Sequence, residues 1–305
     1  MDHKQIVVVL GMHRSGTSAI TRGLKVLGVD LGDNLLPAES GNNEKGFFED
    51  ATITAYNEEL LADLGHAWDS LLPIRREELD SPVAQSHKAR AIEHLRDKLN
   101  EIKCFGVKDP RMSRLLPFWQ EIFAELGLQV SYVIAFRNPI NVAHSLVKRN
   151  EFEVEKGYFL WLEHMLFSLK YSQGASRVFV NYELMLQEPE KQLRRMSESL
   201  GLPFDPQGSE FLEYQSNFLQ RSLQHNSFTL DELKKDSAVP ADVLNLSLLL
   251  LELSRDERAD DQAVVSTVNS LCEAMNERLP AYRLMRRFDQ SNADLNVQLR
   301  LKEQS

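Results

Sequence analysis

Apolar runs that alternate with helical segments organise most of the chain. The first run, QIVVVLG at 5–11, has no polar alternation after its first residue, which is typical of a parallel strand covered on both faces. Further strands are predicted at 103–110, 130–139 and 177–183. Apolar residues at helical spacing predict helices at 113–127, 139–150, 155–172 and 188–200. This alternation predicts an α/β fold, a parallel sheet joined by right-handed crossovers and flanked by helices on both faces.

Two long segments separate the first strand from the second. After a first helix that extends to about Leu27, with Ser15 or Thr17 as the expected cap, residues 28–50 are rich in glycine, asparagine and acids. Loops of this length inside compact domains usually have a function. Helical spacing resumes at Glu49, and the charged segment 76–103 is predicted to be a solvated helical excursion.

Residues 230–305 leave this strand–helix rhythm. They are predicted to form a helical or coiled-coil-like C-terminal extension to a domain at 1–229, and these helices are expected to mediate oligomerisation. Their longest apolar run, LNLSLLLLEL at 244–253, is too short to span a bilayer and includes Glu252. We therefore predict a core helix here and no transmembrane segment.

The overall charge restricts the class of ligand. The 305 residues include 35 basic and 45 acidic side chains, so the formal net charge is −10. A nucleic-acid-binding protein usually presents a basic face, and this composition therefore argues against nucleic acid as a partner. A small anionic ligand is compatible with it, because a local basic pocket can exist in an acidic protein.

The cysteines and the N-terminus indicate where the protein works. Cys104 and Cys272 form neither a disulfide framework nor a metal cluster, and they are expected to be buried apolar residues in a reducing compartment. Because the first strand begins so early, no signal peptide is expected. The expected location is the cytoplasm.

The turn after the first strand is a P-loop that lacks its lysine. Gly11 and Gly16 keep the spacing of G-x-x-x-x-G-K-[ST], but Thr17 stands in place of the lysine and Ser18 follows it. The positive charge lies inside the loop, at Arg14. The backbone N–H groups can still hold a phosphate at a helix N-terminus, whereas the lysine that bridges the terminal phosphates of a triphosphate is missing.

The strand ends predict a cationic pocket without a metal. Arg14, Lys108 and Arg137 lie at or just past the ends of three strands, where parallel sheets bind their ligands. Arg137 stands where a P-loop NTPase has an acidic residue that helps to bind magnesium. Asp109 could take the place of that residue, but Lys108 beside it is an unusual neighbour for a metal site. The expected ligand is an anionic nucleotide that protein cations neutralise.

These motifs resemble the PAPS-dependent sulfotransferases, which share the P-loop fold. Residues 14–18, Arg-Ser-Gly-Thr-Ser, match the loop that holds the 5′-phosphosulfate in that family. The resemblance implies that this loop, with Gly11 and His13, binds 3′-phosphoadenosine 5′-phosphosulfate (PAPS). Taken without the resemblance, His13 is expected to have a structural or surface role.

Three further matches follow in family order. Arg137, with Ser145 eight residues later, matches the pair on the 3′-phosphate, and Lys108 in VKDPRMSRLLP matches the lysine that ends a strand. Tyr182 in NYELMLQEP matches a tyrosine near the adenine. The resemblance covers residues 5–205, with a fainter echo at 218–226. It implies an enzyme that transfers a sulfuryl group to an acceptor hydroxyl without a metal.

The resemblance also indicates an acceptor class and leaves the general base open. The segments GMHRSGTS, GFFE and KDPR are closest to a bacterial branch associated with carbohydrate acceptors, so a carbohydrate or glycolipid is expected. The cytosolic aryl and steroid branch of the family has a catalytic histidine where this chain has Pro110. Glu49 is the first candidate for the base, with Asp109 and His66 in reserve. Glu49 would otherwise be an ordinary acid at a helix start.

Two other functions remain compatible with the same sequence. One is a small-molecule kinase with a degenerate P-loop, which would require magnesium and transfer phosphate. The other is a non-catalytic nucleotide-binding or scaffold module, which would bind the donor without turnover.

Overall fold

A computed structural model describes residues 4–40, 43–219, 229–256, 261–288 and 291. Its sheet has four parallel strands in the order β2-β1-β3-β4. The strands are β1 (Gln5–Leu10), β2 (Cys104–Lys108), β3 (Gln129–Phe136) and β4 (Ser176–Asn181). The described residues do not include most of 218–226, where the sequence resembles the family more weakly. They also do not include the end of the predicted coiled coil after residue 291.

Helices connect and cover the strands. They are α1 (Thr17–Val26), α2 (Ala51–Asp63), α3 (Arg76–Leu79), α4 (Pro82–Glu101), α5 (Met112–Glu125), α6 (Pro139–Asn150), α7 (Val154–Tyr171), α8 (Tyr182–Gln187), α9 (Pro189–Leu200), α10 (Ser209–Glu213), α11 (Leu230–Lys235), α12 (Ala241–Ser254) and α13 (Asp261–Glu277). A π-helical turn, Tyr214–Phe218, follows α10, and residues 279–288 are also helical.

The sheet is buried on both faces, as its apolar strands predict. Val7 and Val9 pack with α1, α8 and α9, whereas Ile6, Val8 and Leu10 pack with α2, α4 and α5 on the other face. Successive side chains of a strand point to opposite faces, so an unbroken apolar run supplies both layers. The predicted α/β fold with a helical C-terminal extension is confirmed.

Local details differ from the sequence expectations at the start of α1. The helix begins at Thr17, and its N-cap is Gly16 in the left-handed conformation, without a side-chain cap hydrogen bond. The expected cap by Ser15 or Thr17 is therefore wrong. The loop that enters the helix takes its turn at glycine, because a left-handed residue costs glycine little.

The C-terminal helices share a hydrophobic cluster with the sheet. The apolar run at 244–253 lies in α12, where Leu246 and Leu250 are fully buried together with Trp161 and Leu166 of α7. Whether 230–305 is a unit of its own stays a prediction. Over the described ranges, no helix combines the length and the apolar character that a membrane span requires.

The shared cluster predicts that α12 and the sheet unfold together. Leu246→Ala should lower the free energy of unfolding by about 2–5 kcal/mol, the usual cost of truncating a buried leucine. Urea denaturation followed by circular dichroism measures this, with Asn245→Ala, exposed on the same helix, as the control. A single transition is expected. A separate, earlier transition for the C-terminal helices would contradict it.

Candidate active site

The strand register brings the predicted cations to one edge of the sheet. Val9 pairs with Lys108 across β1 and β2, and Leu10 pairs with Ile134 across β1 and β3. Arg137 directly follows β3, and Tyr182 directly follows β4. Because all four strands are parallel, their carboxyl ends and the loop after β1 meet on the same side.

The loop after β1 is held in a conformation that needs its glycines. Gly11 has φ 144°, and a Cβ there would lie 2.2 Å from the Ala135 carbonyl oxygen. Gly16 has φ 76°, and a Cβ there would lie 2.1 Å from the Tyr182 ring. Arg14 is also left-handed, with φ 68°. A non-glycine residue in this region is strained, and such strain is concentrated at functional sites.

The N-terminus of α1 has the features of an anion site. It has no side-chain cap and no acidic residue in its first turn. The Ser15 hydroxyl is fully buried and makes no hydrogen bond within the described residues. An anion would be favoured by the positive end of the helix dipole and would give that hydroxyl a partner. The residues present therefore fit a bound phosphosulfate.

Arg14, Ser145 and Arg137 are brought together beside the loop. Arg14 Nε donates a hydrogen bond to Ser145 Oγ at 2.7 Å. Burial, and then the nearby charge of Arg137, lowers the pKa of Arg14. Arg137 Nε donates to Glu183 Oε1 at 3.2 Å, and its guanidinium lies 5.2 Å from the centroid of the Tyr182 ring. Because the charges of the two arginines repel each other, an anion bound near both would be favoured.

Lys108 and Glu49 form a buried ion pair next to Ser18. Lys108 Nζ lies 2.5 Å from Glu49 Oε1 and 3.3 Å from Ser18 Oγ. The residues Lys108 and Glu49 are only 2% and 5% exposed. Burial raises the pKa of Glu49, although the Lys108 ammonium opposes this shift. Of the three candidate bases, Glu49 is the one whose carboxylate contacts Lys108 at the end of β2.

The segment GFFED fixes the direction of Glu49. Gly46 and Phe48 both have positive φ, 92° and 54°, so the chain turns sharply before Glu49. The Phe47 carbonyl accepts a hydrogen bond from Ser18 Oγ at 3.1 Å, and the Phe48 ring packs on Phe218. Glu49 itself lies just before Asp50, the N-cap of α2.

Asp109 and His66 have other partners. The Asp109 carboxylate is fully buried and accepts hydrogen bonds from Asn57 Nδ2 at 2.9 Å and from the Arg111 backbone and guanidinium at 2.9 and 3.0 Å. His66 Nε2 lies 3.4 Å from Glu78 Oε1, and burial lowers its pKa to about 4. The described contacts of His66 therefore lead away from the loop.

His13 contacts an aromatic residue that the sequence did not single out. Its ring meets Trp68 edge to face, with 4.7 Å between centroids. Burial, followed by the charge of Arg111, lowers the pKa of His13, and Arg149 and Lys108 act in the same direction. His13 is thus a neutral imidazole among cations.

Sequence reasoning missed four residues around the site, namely Glu183, Arg111, Trp68 and Arg149. Arg111 had a local signal, because it belongs to the KDPR segment that follows β2. Arg149 had a helical signal, since it lies four residues after Ser145 and therefore on the same face of α6. Trp68 had none, because only the folded chain brings it to the loop.

Acidic, histidine and cysteine side chains do not gather into a metal site in the part of the chain that is described. There, no three of them are placed to hold one ion.

Comparisons with known proteins give similarity to solved structures alone. Neither a protein-family model nor a curated protein sequence matches the chain. The sulfotransferase domain of an olefin synthase from Synechococcus has 19% identity over 82% of this chain and 97% of that chain, with a TM-score of 0.46. The sulfotransferase domain of the curacin biosynthetic pathway has 15% identity over 81% and 98%, also at 0.46.

A third similar structure is retinol dehydratase, solved with androsterone and the inactive cofactor PAP. It has 12% identity over 88% of this chain and 80% of that chain, with a TM-score of 0.35. The first two structures are sulfotransferase domains. Similarity at this level does not identify the reaction, which depends on the side chains of the site.

The buried pair predicts strong coupling between Lys108 and Glu49. Lys108→Met or Glu49→Gln alone should lower the free energy of unfolding by about 3–5 kcal/mol, because each leaves a buried group without its partner. The double variant should lose clearly less than the sum. Urea denaturation measures this cycle.

The surface pair Arg90–Glu59, whose side chains are each 47% exposed, is the matched control. Arg90→Met and Glu59→Gln should each change stability by less than about 1 kcal/mol. If the Lys108 and Glu49 variants also lost less than about 1 kcal/mol of unfolding free energy each, and these losses were additive, the two side chains would not be coupled.

Proposed function

We propose that the protein is a sulfotransferase that moves the sulfuryl group of PAPS to an acceptor hydroxyl. The observation that carries this proposal is the hydrogen bond from Arg14, in a P-loop without lysine, to Ser145. The charge of Arg137 is close enough to lower the pKa of Arg14. This arrangement offers cations for two separate phosphate groups on one nucleotide. A triphosphate site would instead need the bridging lysine, whose place Thr17 takes.

The donor would lie along the loop edge. The backbone from Gly11 to Ser18, with the Ser15 hydroxyl and Arg14, would hold the 5′-phosphosulfate. Arg137 and Ser145 would hold the 3′-phosphate through charge-assisted hydrogen bonds. Tyr182, which packs between Gly16 and Arg137, would border the adenosine.

PAPS supplies an activated sulfuryl group whose S–O bond to the 5′-phosphate breaks as the new bond to the acceptor oxygen forms. Arg14 and Lys108 would stabilise the negative charge that develops on the leaving phosphate. Glu49 would accept the proton of the acceptor hydroxyl. Its raised pKa makes it a stronger base than an exposed carboxylate.

Asp109 would act by positioning. Its oxygens already accept hydrogen bonds from Asn57 and Arg111, so it would fix the Arg111 guanidinium instead of taking a proton. His66 would have a structural role beside Glu78. His13 would border the sulfuryl group as a neutral ring.

The acceptor class and the cellular setting stay predictions. We propose a carbohydrate or glycolipid acceptor on the motif resemblance alone, and a cytoplasmic location on the cysteine usage. Oligomerisation through the C-terminal helices would use the apolar side chains exposed at 279–288, which are Leu284, Met285 and Phe288.

The choice of nucleotide tests this function. Adenosine 3′,5′-bisphosphate should stabilise the protein without magnesium, by about 2.7 kcal/mol at a hundred times its Kd. Arg137→Ala should weaken the bisphosphate about ten- to a hundredfold while barely affecting adenosine 5′-phosphosulfate, which lacks the 3′-phosphate. Isothermal titration calorimetry measures each affinity.

Arg194→Ala, which removes an exposed arginine of α9, should leave both affinities unchanged. Tighter binding of Mg-ATP than of the bisphosphate, with phosphate transfer, would support the kinase. Bisphosphate binding without any sulfuryl transfer over a broad acceptor panel would support a non-catalytic module.

The raised pKa of Glu49 predicts a pH dependence. A general base must be ionised, so the single-turnover rate should fall as pH drops through the pKa of Glu49, which burial raises above the ordinary value for a glutamate. Glu49→Gln should lose about a hundred- to ten-thousandfold in rate and should also lose this acidic limb.

Bisphosphate affinity reports whether the Glu49→Gln variant remains folded around its donor. Asp109→Asn should keep the acidic limb of the profile. If the pH–rate profile of Glu49→Gln kept its acidic limb, a group other than Glu49 would accept the proton of the acceptor hydroxyl.

A further inference from the structure

Arg149 lies beside the loop on an aromatic support. Its guanidinium is 5.1 Å from the centroid of the Trp68 ring, and Trp68 in turn meets His13 of the loop. Phe152 stacks on the same indole at 5.8 Å. The guanidinium is therefore held by a cation–π contact on a packed aromatic group.

The cations of the site differ in their acidic partners. Lys108 pairs with Glu49, and Arg111 pairs with both Asp109 and Glu58. For Arg149, Nε donates to the Asn150 side-chain oxygen at 2.6 Å, and within the described ranges no carboxylate lies at ion-pair distance. Burial and then the charge of Arg14 lower the pKa of Arg149, the Glu39 carboxylate opposes this shift, and Arg111 adds to the lowering. An anion bound here would relieve this repulsion.

Arg149 lies near the residues proposed for the transfer step, because its charge and that of Lys108 both act on His13. Ser145 and Arg149 are one helical turn apart on α6, and Ser145 binds Arg14. Trp68 belongs to the connection between α2 and α3, not to the elements around Arg137 and Tyr182. Arg149 is therefore one turn beyond Ser145 on α6, and it contacts Trp68, whereas Arg137 contacts Tyr182 and Glu183.

We propose that Arg149, held on Trp68, binds an anionic group of the acceptor close to the hydroxyl that receives the sulfuryl group. The acceptor would thus be an acidic compound that carries a carboxylate, a sulfate ester or a phosphate ester. This inference rests on the proposed sulfuryl transfer and specifies the acceptor of that site.

Matched acceptors test the inference. Neutral sugars and alcohols are each paired with their carboxylate, sulfate-ester and phosphate-ester counterparts, and transfer from PAPS is followed by mass spectrometry. We expect kcat/KM to be about ten- to a hundredfold higher for an anionic member than for its neutral partner, the range of a charge-assisted hydrogen bond. The best of the three anionic series identifies the group.

Variants of α6 assign the preference to Arg149. Arg149→Gln should abolish the anionic preference, measured as the ratio of kcat/KM for an anionic acceptor to kcat/KM for its neutral partner. Arg149→Lys should retain part of the preference, because it keeps the charge but loses the planar fork. Lys148→Gln, which removes an exposed cation of the same helix, is the matched control and should change nothing.

Three results would overturn the inference. Neutral acceptors could be preferred, or the anionic preference could survive in Arg149→Gln. Arg149→Gln could also weaken the bisphosphate as much as Arg137→Ala does, which would place Arg149 on the donor. Transfer to no acceptor at all, with the bisphosphate bound, would reject the proposed sulfuryl transfer itself.

Discussion

The buried contact between Lys108 and Glu49 is the constraint around which the site is arranged. Removing two charged groups from water costs several kcal/mol for each, and their mutual attraction offsets this cost only while both are present. The contact joins the end of β2 to the turn before α2, and Ser18 links the same ammonium to the loop. One interaction thus fixes the positions of the strand-end cation, the candidate base and the phosphate loop relative to one another.

The cations of the site have a local role that the net charge of the protein conceals. The chain carries −10 overall, yet Arg14, Lys108, Arg111 and Arg149 lie close enough to affect one another or His13. Arg137 extends this group on the adenosine side. In the proposed function, Arg137 and Ser145 would bind the donor and Arg149 on Trp68 would bind the acceptor, while Arg14 contacts Ser145.

Local sequence signals predicted the parts of the site that lie at strand ends. Lys108 and Arg137 follow apolar runs, and the glycine spacing identified the loop, so the parallel sheet brings them to one edge. The contacts that depend on tertiary packing were beyond such signals. Asn57 reaches Asp109 from α2, and Trp68 reaches His13 from a connection between helices. The prediction that Ser15 or Thr17 caps α1 was wrong, because the N-cap is the left-handed Gly16, which packs against Tyr182 and provides no side-chain cap.

A single-turnover experiment with PAPS tests the central claim most directly. The enzyme in excess is mixed with PAPS and the acceptor panel in a chelator, and both products are quantified by mass spectrometry. The account predicts one sulfated acceptor for each adenosine 3′,5′-bisphosphate released, with the rate lost in Glu49→Gln. Release of the bisphosphate without a sulfated acceptor would contradict it, as would phosphate transfer in a parallel reaction that contains Mg-ATP and no chelator.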